Sequence, residues 1–127
     1  MSAAVEIVSF GYLHAQPPLA DLTIDLRHHF RDPHINPRLR HMTAYDAEAR
    51  DTVLNTSGVA DLIDATANAV AAFASGPSAK TVRVADGCAG GRHRAPTFAM
   101  ALADRLTARG FEVQVAHRDL GKPVVNR

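Results

Sequence analysis

The sequence predicts a single α/β domain, a layered sheet of mostly parallel strands with flanking helices. Its 127 residues are enough for one compact core without disulfides or a structural metal. Four short runs have strand character, and helix-periodic runs lie between the later ones. Because connections of that length suit parallel crossovers, we expect strands two, three and four to run parallel, in one domain spanning residues 1–127.

The strand assignments rest on short apolar or alternating runs bounded by turn residues. The second run alternates apolar Leu22, Ile24 and Leu26 with polar residues, which is typical of a half-buried strand. The predicted strands are residues 4–10, 21–26, 80–86 and 111–119.

The helix assignments rest on apolar residues that recur at helical spacing. We expect Ser57 to cap a helix over residues 59–74, after a weaker helical signal at about 45–54. Pro96 suits the first turn of a further helix, and Gly110 is its natural end. The segment from residue 32 to residue 42 has two prolines and no periodicity, so it predicts an irregular loop.

Composition narrows the class of protein. The single cysteine, Cys88, cannot form an intramolecular disulfide, so nothing indicates an oxidising compartment. The first residues lack the features of a signal peptide, and no apolar run is long enough to span a membrane, so we expect a cytoplasmic protein. A net charge of +1 argues against a globally basic nucleic-acid binder, although basic residues are concentrated in 27–41, RHHFRDPHINPRLRH.

Polar residues follow each predicted strand. In open parallel sheets, ligands bind beyond the carboxyl ends of the strands. Strand two ends in Asp25 and Arg27, strand three runs into residues 87–94, and strand four ends in His117 and Arg118. We therefore expect one shared cationic pocket at this edge of the sheet.

The stretch VADGCAGGRHRAPTFA, residues 84–99, places a glycine-rich turn between a strand and a helix. Successive backbone N–H groups in such a turn can converge, and a helix amino terminus adds positive potential. Arg92 and Arg94 can donate charge-assisted hydrogen bonds, and His93 can donate as well. The turn predicts binding of a phosphate or carboxylate. Alternatively, the glycines only allow close strand–helix packing, which leaves the basic residues unexplained.

Two nucleotide-binding motifs are missing and one enzymatic motif is present. Neither a Walker A loop nor G-x-G-x-x-G occurs. C-x-x-G-x-x-R, from Cys88 to Arg94, matches the phosphate loop of cysteine-dependent phosphatases, in which a thiolate attacks phosphorus. Cys88 and Arg94 would be the catalytic residues of that alternative. Gly87 stands where those enzymes usually have histidine, and Ala95 stands where they have serine or threonine.

Histidines and aspartates supply two further candidate sites. Four histidines between residues 28 and 41 have no partner cysteine and no known ligand spacing, so we expect them to be exposed or to line a pocket and expect no metal. They are His28, His29, His34 and His41. Asp25 and Asp119 could act as acid and base or, alternatively, orient the neighbouring arginines. No motif calls for a cofactor.

Six ordered motifs resemble the C-terminal domain of the RapZ family, the YvcJ-type nucleotide-binding proteins. They span about residues 8–120, and GC-x-GG-x-HR followed by HRD is the most specific combination. The motifs are SFG at 9–11, ADLTIDLR at 20–27, DPH at 32–34, P-x-L-R at 37–40, GCAGGRHR at 87–94 and HRDL at 117–120.

The resemblance implies a non-enzymatic binding module. Full-length members join an N-terminal P-loop ATPase domain to this domain, so nucleotide hydrolysis is not carried over. In enterobacterial members the domain senses glucosamine-6-phosphate, binds regulatory small RNAs and presents one of them to the endoribonuclease RNase E. The expected partners are therefore a phosphorylated amino sugar or related anion, RNA, and a separate ATPase or RNase protein.

The resemblance also implies the pocket residues. Loop 88–94, including Arg92, would contact phosphate, with Arg27, His34 and Arg40 closing over the ligand. RNA would meet further arginines at Arg31 and Arg38. The implied pocket comprises Asp25, Arg27, His34, Arg40, Cys88, Gly90, Gly91, Arg92, His93, Arg94, His117 and Arg118. The sequence has Ala89 and Ala95 where the family commonly has threonine and serine, so hydroxyl contacts to the ligand are missing.

Overall fold

The four strands of the described residues form one parallel sheet. A computed structural model describes residues 4–78 and 80–126. The strand order is β2-β3-β1-β4, and every neighbouring pair is parallel. The α/β fold class is confirmed, and β1 joins the parallel arrangement that we expected of the other three strands. The strands are β1, Ala4–Gly11; β2, Leu22–Asp25; β3, Val82–Cys88; and β4, Glu112–His117.

Within the described residues, three helices share one core with the sheet: the second and third pack against the sheet, and the first packs against those two helices. They are α1, Ala47–Leu54; α2, Val59–Ala74; and α3, Arg94–Ala108. Alternate residues of the strands, such as Val5 and Ile7 on β1, join apolar side chains of the helices in a single buried cluster. This packing follows from the period-2 pattern of the strands and the 3.6-residue period of the helices. It leaves the carboxyl ends of the strands free to carry loops.

The helix ends agree with the sequence prediction at α3 and differ at α2. Pro96 lies in the first turn of α3, and Gly110 follows its end with a φ of +93°. The expectation that Ser57 caps α2 is wrong, because the N-cap is Gly58 with a φ of +92°. A left-handed residue turns the chain into the helix there, and glycine adopts that conformation without a steric penalty.

The proline-rich segment before α1 is irregular, as expected, but it contains a short 3-10 turn at Pro33–Ile35. The turn is capped by Asp32, whose Oδ1 accepts a hydrogen bond from the His34 N–H at 3.0 Å. The prolines preset the backbone and the cap satisfies one amide, so the segment holds a fixed path toward the sheet edge.

Asp86 is a buried carboxyl group in the middle of this arrangement. It lies on β3 in register with Ser9 of β1, and it has no exposed surface. Neither of its carboxylate oxygens has a hydrogen-bond partner among the residues that the structure describes. Burial raises the pKa of Asp86 well above its usual value, because the charged form loses its hydration.

Replacing Asp86 with Asn should remove a pH dependence of stability. Between the unfolded-state pKa of about 3.9 and the raised folded-state pKa, the folded protein binds a proton that the unfolded chain does not. The stabilising contribution is complete below about pH 3.9 and is lost as pH rises through the folded pKa. We therefore expect the stability of Asp86→Asn relative to wild type to increase with pH.

Urea unfolding from about pH 4 to about pH 8 measures this difference. Asp51→Asn is the matched control, since Asp51 is exposed on α1. Parallel stability curves for wild type and Asp86→Asn would show that the Asp86 carboxyl group does not titrate differently on folding.

Candidate anion-binding site

A recess opens where β3 passes into α3. The space, including its open mouth, is about 220 Å³. Its walls come from the loop after β3, the start of α3 and the segment around the 3-10 turn. The lining residues are Asp32, His34, Cys88, Gly90, Arg92, His93 and Arg94. We call this space the Cys88 recess.

The Cys88 thiol lies at the base of the loop. Its Sγ accepts hydrogen bonds from the backbone N–H groups of Gly91, at 3.3 Å, and Ala95, at 3.4 Å. The residue is 3% exposed, and burial raises the pKa of the thiol despite the opposing effect of the Arg94 charge. Cys88 therefore holds its proton at neutral pH.

Glycines bring the ends of β1 and β3 into close contact. Gly91 has a φ of +76°, and a Cβ there would lie 2.9 Å from the Gly11 nitrogen. A Cβ on Gly11 would lie 2.5 Å from the carbonyl carbon of Gly90. Both clashes would involve backbone atoms, which cannot move aside cheaply, so the loop takes this path only with glycine at these positions.

Asp119, just after β4, connects the end of β1 to the residues that follow β4. Its Oδ2 accepts from the Gly11 N–H at 2.7 Å and from Arg118 Nε at 3.0 Å, and Lys122 Nζ lies 2.7 Å from Oδ1. Burial alone would raise the pKa of Asp119, but the hydrogen bonds from Arg118 and Gly11, together with Lys122, lower the pKa to about 2. This carboxylate is charged and orients Arg118, one of the two roles that we expected for it.

Arg94 fastens the chain after β2 to the start of α3. Its Nη1 donates to the carbonyl oxygens of Leu26 at 3.0 Å, Arg27 at 3.1 Å and Phe30 at 3.3 Å. Its Nη2 lies 3.2 Å from Asp32 Oδ2. The side chain is 3% exposed, so most of its donors serve the fold.

Two other arginine side chains fix the proline-rich segment. Arg92 donates to the carbonyl oxygens of Lys122 at 3.0 Å and His41 at 2.6 Å. Arg40 Nε donates to the His34 carbonyl oxygen at 2.9 Å.

His93 Nε2 lies 2.9 Å from the Leu39 carbonyl oxygen, and a carbonyl can only accept, so Nε2 carries the hydrogen. Burial lowers the pKa of His93, which favours the neutral ring.

Several donors at the recess nevertheless lack acceptors. The Nε groups of Arg92 and Arg94 are buried and have no hydrogen-bond partner among the described residues. The backbone N–H groups of Gly90, Arg92 and His93 likewise donate to no other residue in the described ranges. Buried donors are normally paired, so these groups call for an acceptor.

Asp25 and Arg27 lie apart from the Cys88 recess. Asp25 is in register with Gly87, so its side chain lies on the sheet face opposite that of Cys88. Arg27 pairs with Asp25 at 2.7 Å and lies 3.6 Å above the centre of the Tyr12 ring. Gly87 makes room for the aromatic side chains, because a Cβ there would lie 2.4 Å from Phe10 Cζ. For Gly87, the structure therefore agrees better with a role in close packing than with a role in binding an anion.

His117 and Arg118 lie at the end of β4, beside the recess rather than in it. His117 Nδ1 is 2.7 Å from Ser9 Oγ, and burial lowers the pKa of His117. Arg118 donates to the carbonyl oxygens of Gly11, Ala15 and Gln16. The predicted shared pocket is thus divided, with Arg118 bound to the loop after β1.

The two arginines predicted to contact RNA also lie outside the recess. Arg38 pairs with Glu48 at 2.6 Å. Arg31 borders a separate, largely apolar hollow with Ile35 and Leu39. Among the described residues, no group of three or more histidine, cysteine, aspartate or glutamate side chains is placed to hold a metal ion. No helix of the described ranges is long and apolar enough to cross a membrane.

A family model described as the RapZ C-terminal domain matches residues 3–121. The chain belongs to the RapZ C-terminal domain family. Nucleotide-binding proteins of Thermobifida fusca and Streptomyces coelicolor are 39% and 38% identical to it over 119 residues, which cover 91% of this chain. One of Cutibacterium acnes is 36% identical over 122 residues, or 94% of the chain. The chain spans only about 40% of the length of these relatives.

Two residues at or beside the recess were not among the predicted site residues. Asp32 lines the recess and pairs with Arg94, although only its place in the DPH motif pointed to it. Ser9 is fully buried against His117, and its position at the end of β1 was the available signal. Both contacts join residues more than 60 positions apart, so local patterns could not reveal them.

Replacing Asp119 with Asn should destabilise the domain and flatten its acid unfolding. A carboxyl group with a pKa of about 2 when folded, against about 3.9 when unfolded, contributes about 2–3 kcal/mol. That contribution is present above the unfolded pKa and is lost as pH falls through about 2. Acid and urea unfolding of the variant measure both effects.

Asp104→Asn provides the control, because Asp104 is exposed on α3. If Asp119→Asn unfolded with the same midpoint and acid limb as Asp104→Asn, the Asp119 contacts would not anchor the loop.

Proposed function

We propose that the Cys88 recess binds the phosphate group of a small phosphorylated metabolite, with an amino-sugar phosphate such as glucosamine-6-phosphate as the leading class. The domain would act as a sensor rather than an enzyme. One observation carries the proposal: among the residues that line the recess, Arg92 and Arg94 have buried Nε groups without an acceptor, and the backbone N–H groups of Gly90, Arg92 and His93 donate to no residue of the described chain.

An anion suits these donors better than a neutral ligand does. Phosphate offers several acceptor oxygens, and hydrogen bonds between ionised groups are stronger than neutral ones. The first turn of α3 begins at Arg94, so its amide dipoles add positive potential at the same place. Binding would supply the acceptors that the fold leaves out.

The size of the recess limits what enters it. The enclosed part of the recess is about 10 Å³, which is room for about one water molecule, so a phosphoryl group would lie at the open mouth of the recess. The remainder of the ligand would lie toward His34 and the proline-rich segment. The curated relatives are named nucleotide-binding proteins, and a nucleotide phosphate would meet the same donors, so nucleotides belong in the test.

A cysteine-dependent phosphatase has less support. That chemistry needs a thiolate with a lowered pKa and an arginine free to bind the phosphoryl oxygens. Burial instead raises the pKa of Cys88, and Arg94 donates to three carbonyl oxygens.

RNA binding and transfer to a protein partner stay predictions. Arg27 and Arg38 are paired with Asp25 and Glu48, which reduces the basic surface available to an RNA backbone. Arg31, His28 and His29 are exposed on the same segment. A separate ATPase or RNase would have to recognise this segment or the ligand-bound loop.

A thermal-shift and calorimetry panel tests the ligand. Sugar phosphates, nucleotides, citrate and inorganic phosphate are compared on wild type, Arg92→Gln and Arg105→Gln. A ligand at about a hundred times its Kd stabilises by about 2.7 kcal/mol, which raises Tm by several degrees in a domain of this size. We expect a sugar phosphate to stabilise wild type and Arg105→Gln, and Arg92→Gln to bind it at least about tenfold more weakly.

Arg105→Gln is the matched control. It also removes one positive charge, but Arg105 lies on α3, where it pairs with Asp64 instead of lining the recess. Equal weakening by both variants would indicate a general charge effect and count against the recess. Stabilisation by inorganic phosphate alone would leave an anion site without the proposed metabolite specificity. Release of phosphate from an organic substrate, lost in Cys88→Ser, would favour the phosphatase.

A further inference from the structure

The buried carboxyl group of Asp86 is a close neighbour of the Cys88 recess. Asp86 and Cys88 are two residues apart on β3, so their side chains are on the same face of the sheet, with Cα atoms about 6.6 Å apart. Cys88 lines the recess, whereas Asp86 has no exposed surface. The carboxyl group therefore lies in the core, one strand repeat behind the thiol.

The residues beside Asp86 in the sheet do not neutralise it. Ser9, in register on β1, is fully buried, and its Oγ lies 2.7 Å from His117 Nδ1. Ile24, in register on β2, is apolar. Both carboxylate oxygens of Asp86 lack a hydrogen-bond partner in the described chain. An ionised Asp86 would be an uncompensated charge in a medium of low dielectric constant, where its field is screened little.

Other titratable or charged groups border this part of the core on β3, β4, α3 and the loops. Those of α2, Asp61 and Asp64, are exposed. Burial lowers the pKa of both buried or half-buried histidines, raises the pKa of the thiol, and leaves the pKa of Asp119 at about 2 because its hydrogen bonds prevail. Among the described residues, Asp86 is the carboxyl group whose two oxygens are both buried and unpaired. The bordering groups are Asp32, His34, Cys88, His93, Arg94, His117 and Asp119.

The charge of Asp86 acts on the Cys88 thiol. Burial is the main cause of the raised pKa of Cys88, and the Asp86 carboxyl group adds to it, because a second negative charge nearby is unfavourable. An anion held by the unpaired N–H groups of the loop would meet the same repulsion. The neutral acid does not repel an anion in this way.

We propose that Asp86 controls the affinity of the Cys88 recess for anions, so that the recess binds an anion tightly while Asp86 is protonated and weakly once Asp86 is ionised. This inference rests on the proposed anion site and adds a residue that the ligand does not touch. By linkage, anion binding favours the protonated carboxyl group, so the domain takes up a proton when it binds. The sensor would respond to its ligand and to pH together.

The affinity for sulfate, measured by calorimetry from about pH 5 to about pH 8, tests the proposal. Sulfate keeps the same charge over this range. Asp86→Asn retains the shape of the neutral acid but cannot ionise. Wild type and Asp86→Asn should bind sulfate equally at the low end of the range. At the high end we expect Asp86→Asn to bind about tenfold more tightly, because wild type alone has acquired the repelling charge. Histidines titrate in both proteins, so their effects cancel in the ratio of the two affinities.

Proton uptake provides a second readout on the unaltered protein. Near neutral pH, the heat of sulfate binding to wild type should depend on the ionisation enthalpy of the buffer, and this dependence should be smaller in Asp86→Asn. Asp51→Asn, at an exposed position of α1, should behave as wild type.

The outcomes separate this inference from the anion site itself. A ratio of affinities that stays constant with pH, with equal proton uptake in the two proteins, would overturn the role of Asp86 while leaving the anion site intact. Failure of both proteins to bind sulfate at any pH would overturn the site and this inference together.

Discussion

The carboxyl end of the sheet, where the recess lies, depends on the contacts of the Asp119 carboxylate. This carboxylate accepts a hydrogen bond from the Gly11 N–H at the end of β1 and pairs with Arg118 and Lys122 after β4. Gly91 of the loop after β3 lies close to the Asp119 side chain and to the same Gly11, because a Cβ on Gly91 would be 2.9 Å from the Asp119 Cβ and from the Gly11 nitrogen. Three segments from distant parts of the chain therefore meet at one buried charge. Such a charge is tolerated because its hydrogen bonds replace the lost water.

Positive charge at this end of the sheet serves first to bind backbone carbonyl groups. Arg92, Arg94 and Arg118 each donate to carbonyl oxygens of loops that have no regular structure to satisfy them. Guanidinium groups suit this task, because they present several donors in a planar fork. The arginines thus fix the loops that carry the N–H donors. The Nε groups of Arg92 and Arg94 are left for a ligand, whereas Arg118 Nε donates to Asp119.

The fold was predictable from sequence to a large extent, because strand alternation and helical periodicity are local signals. The sequence also located the glycine-rich loop, whose composition is unusual wherever it folds. It did not predict that Asp25 and Arg27 would lie on the sheet face opposite Cys88, since that depends on the register of β2 with β3. Nor did it predict that Arg94 would face carbonyl groups, because its partners at Leu26 and Phe30 lie more than 60 residues away.

The protonation of Cys88 bears on which chemistry the loop supports. The thiol accepts from the Gly91 and Ala95 N–H groups, so a thiolate there would place negative charge in the space that a bound anion needs. Burial keeps the thiol neutral by raising its pKa. A neutral sulfur leaves the positive potential of the loop and the start of α3 available to the ligand. The raised pKa that makes Cys88 a poor nucleophile therefore favours anion binding in the same recess.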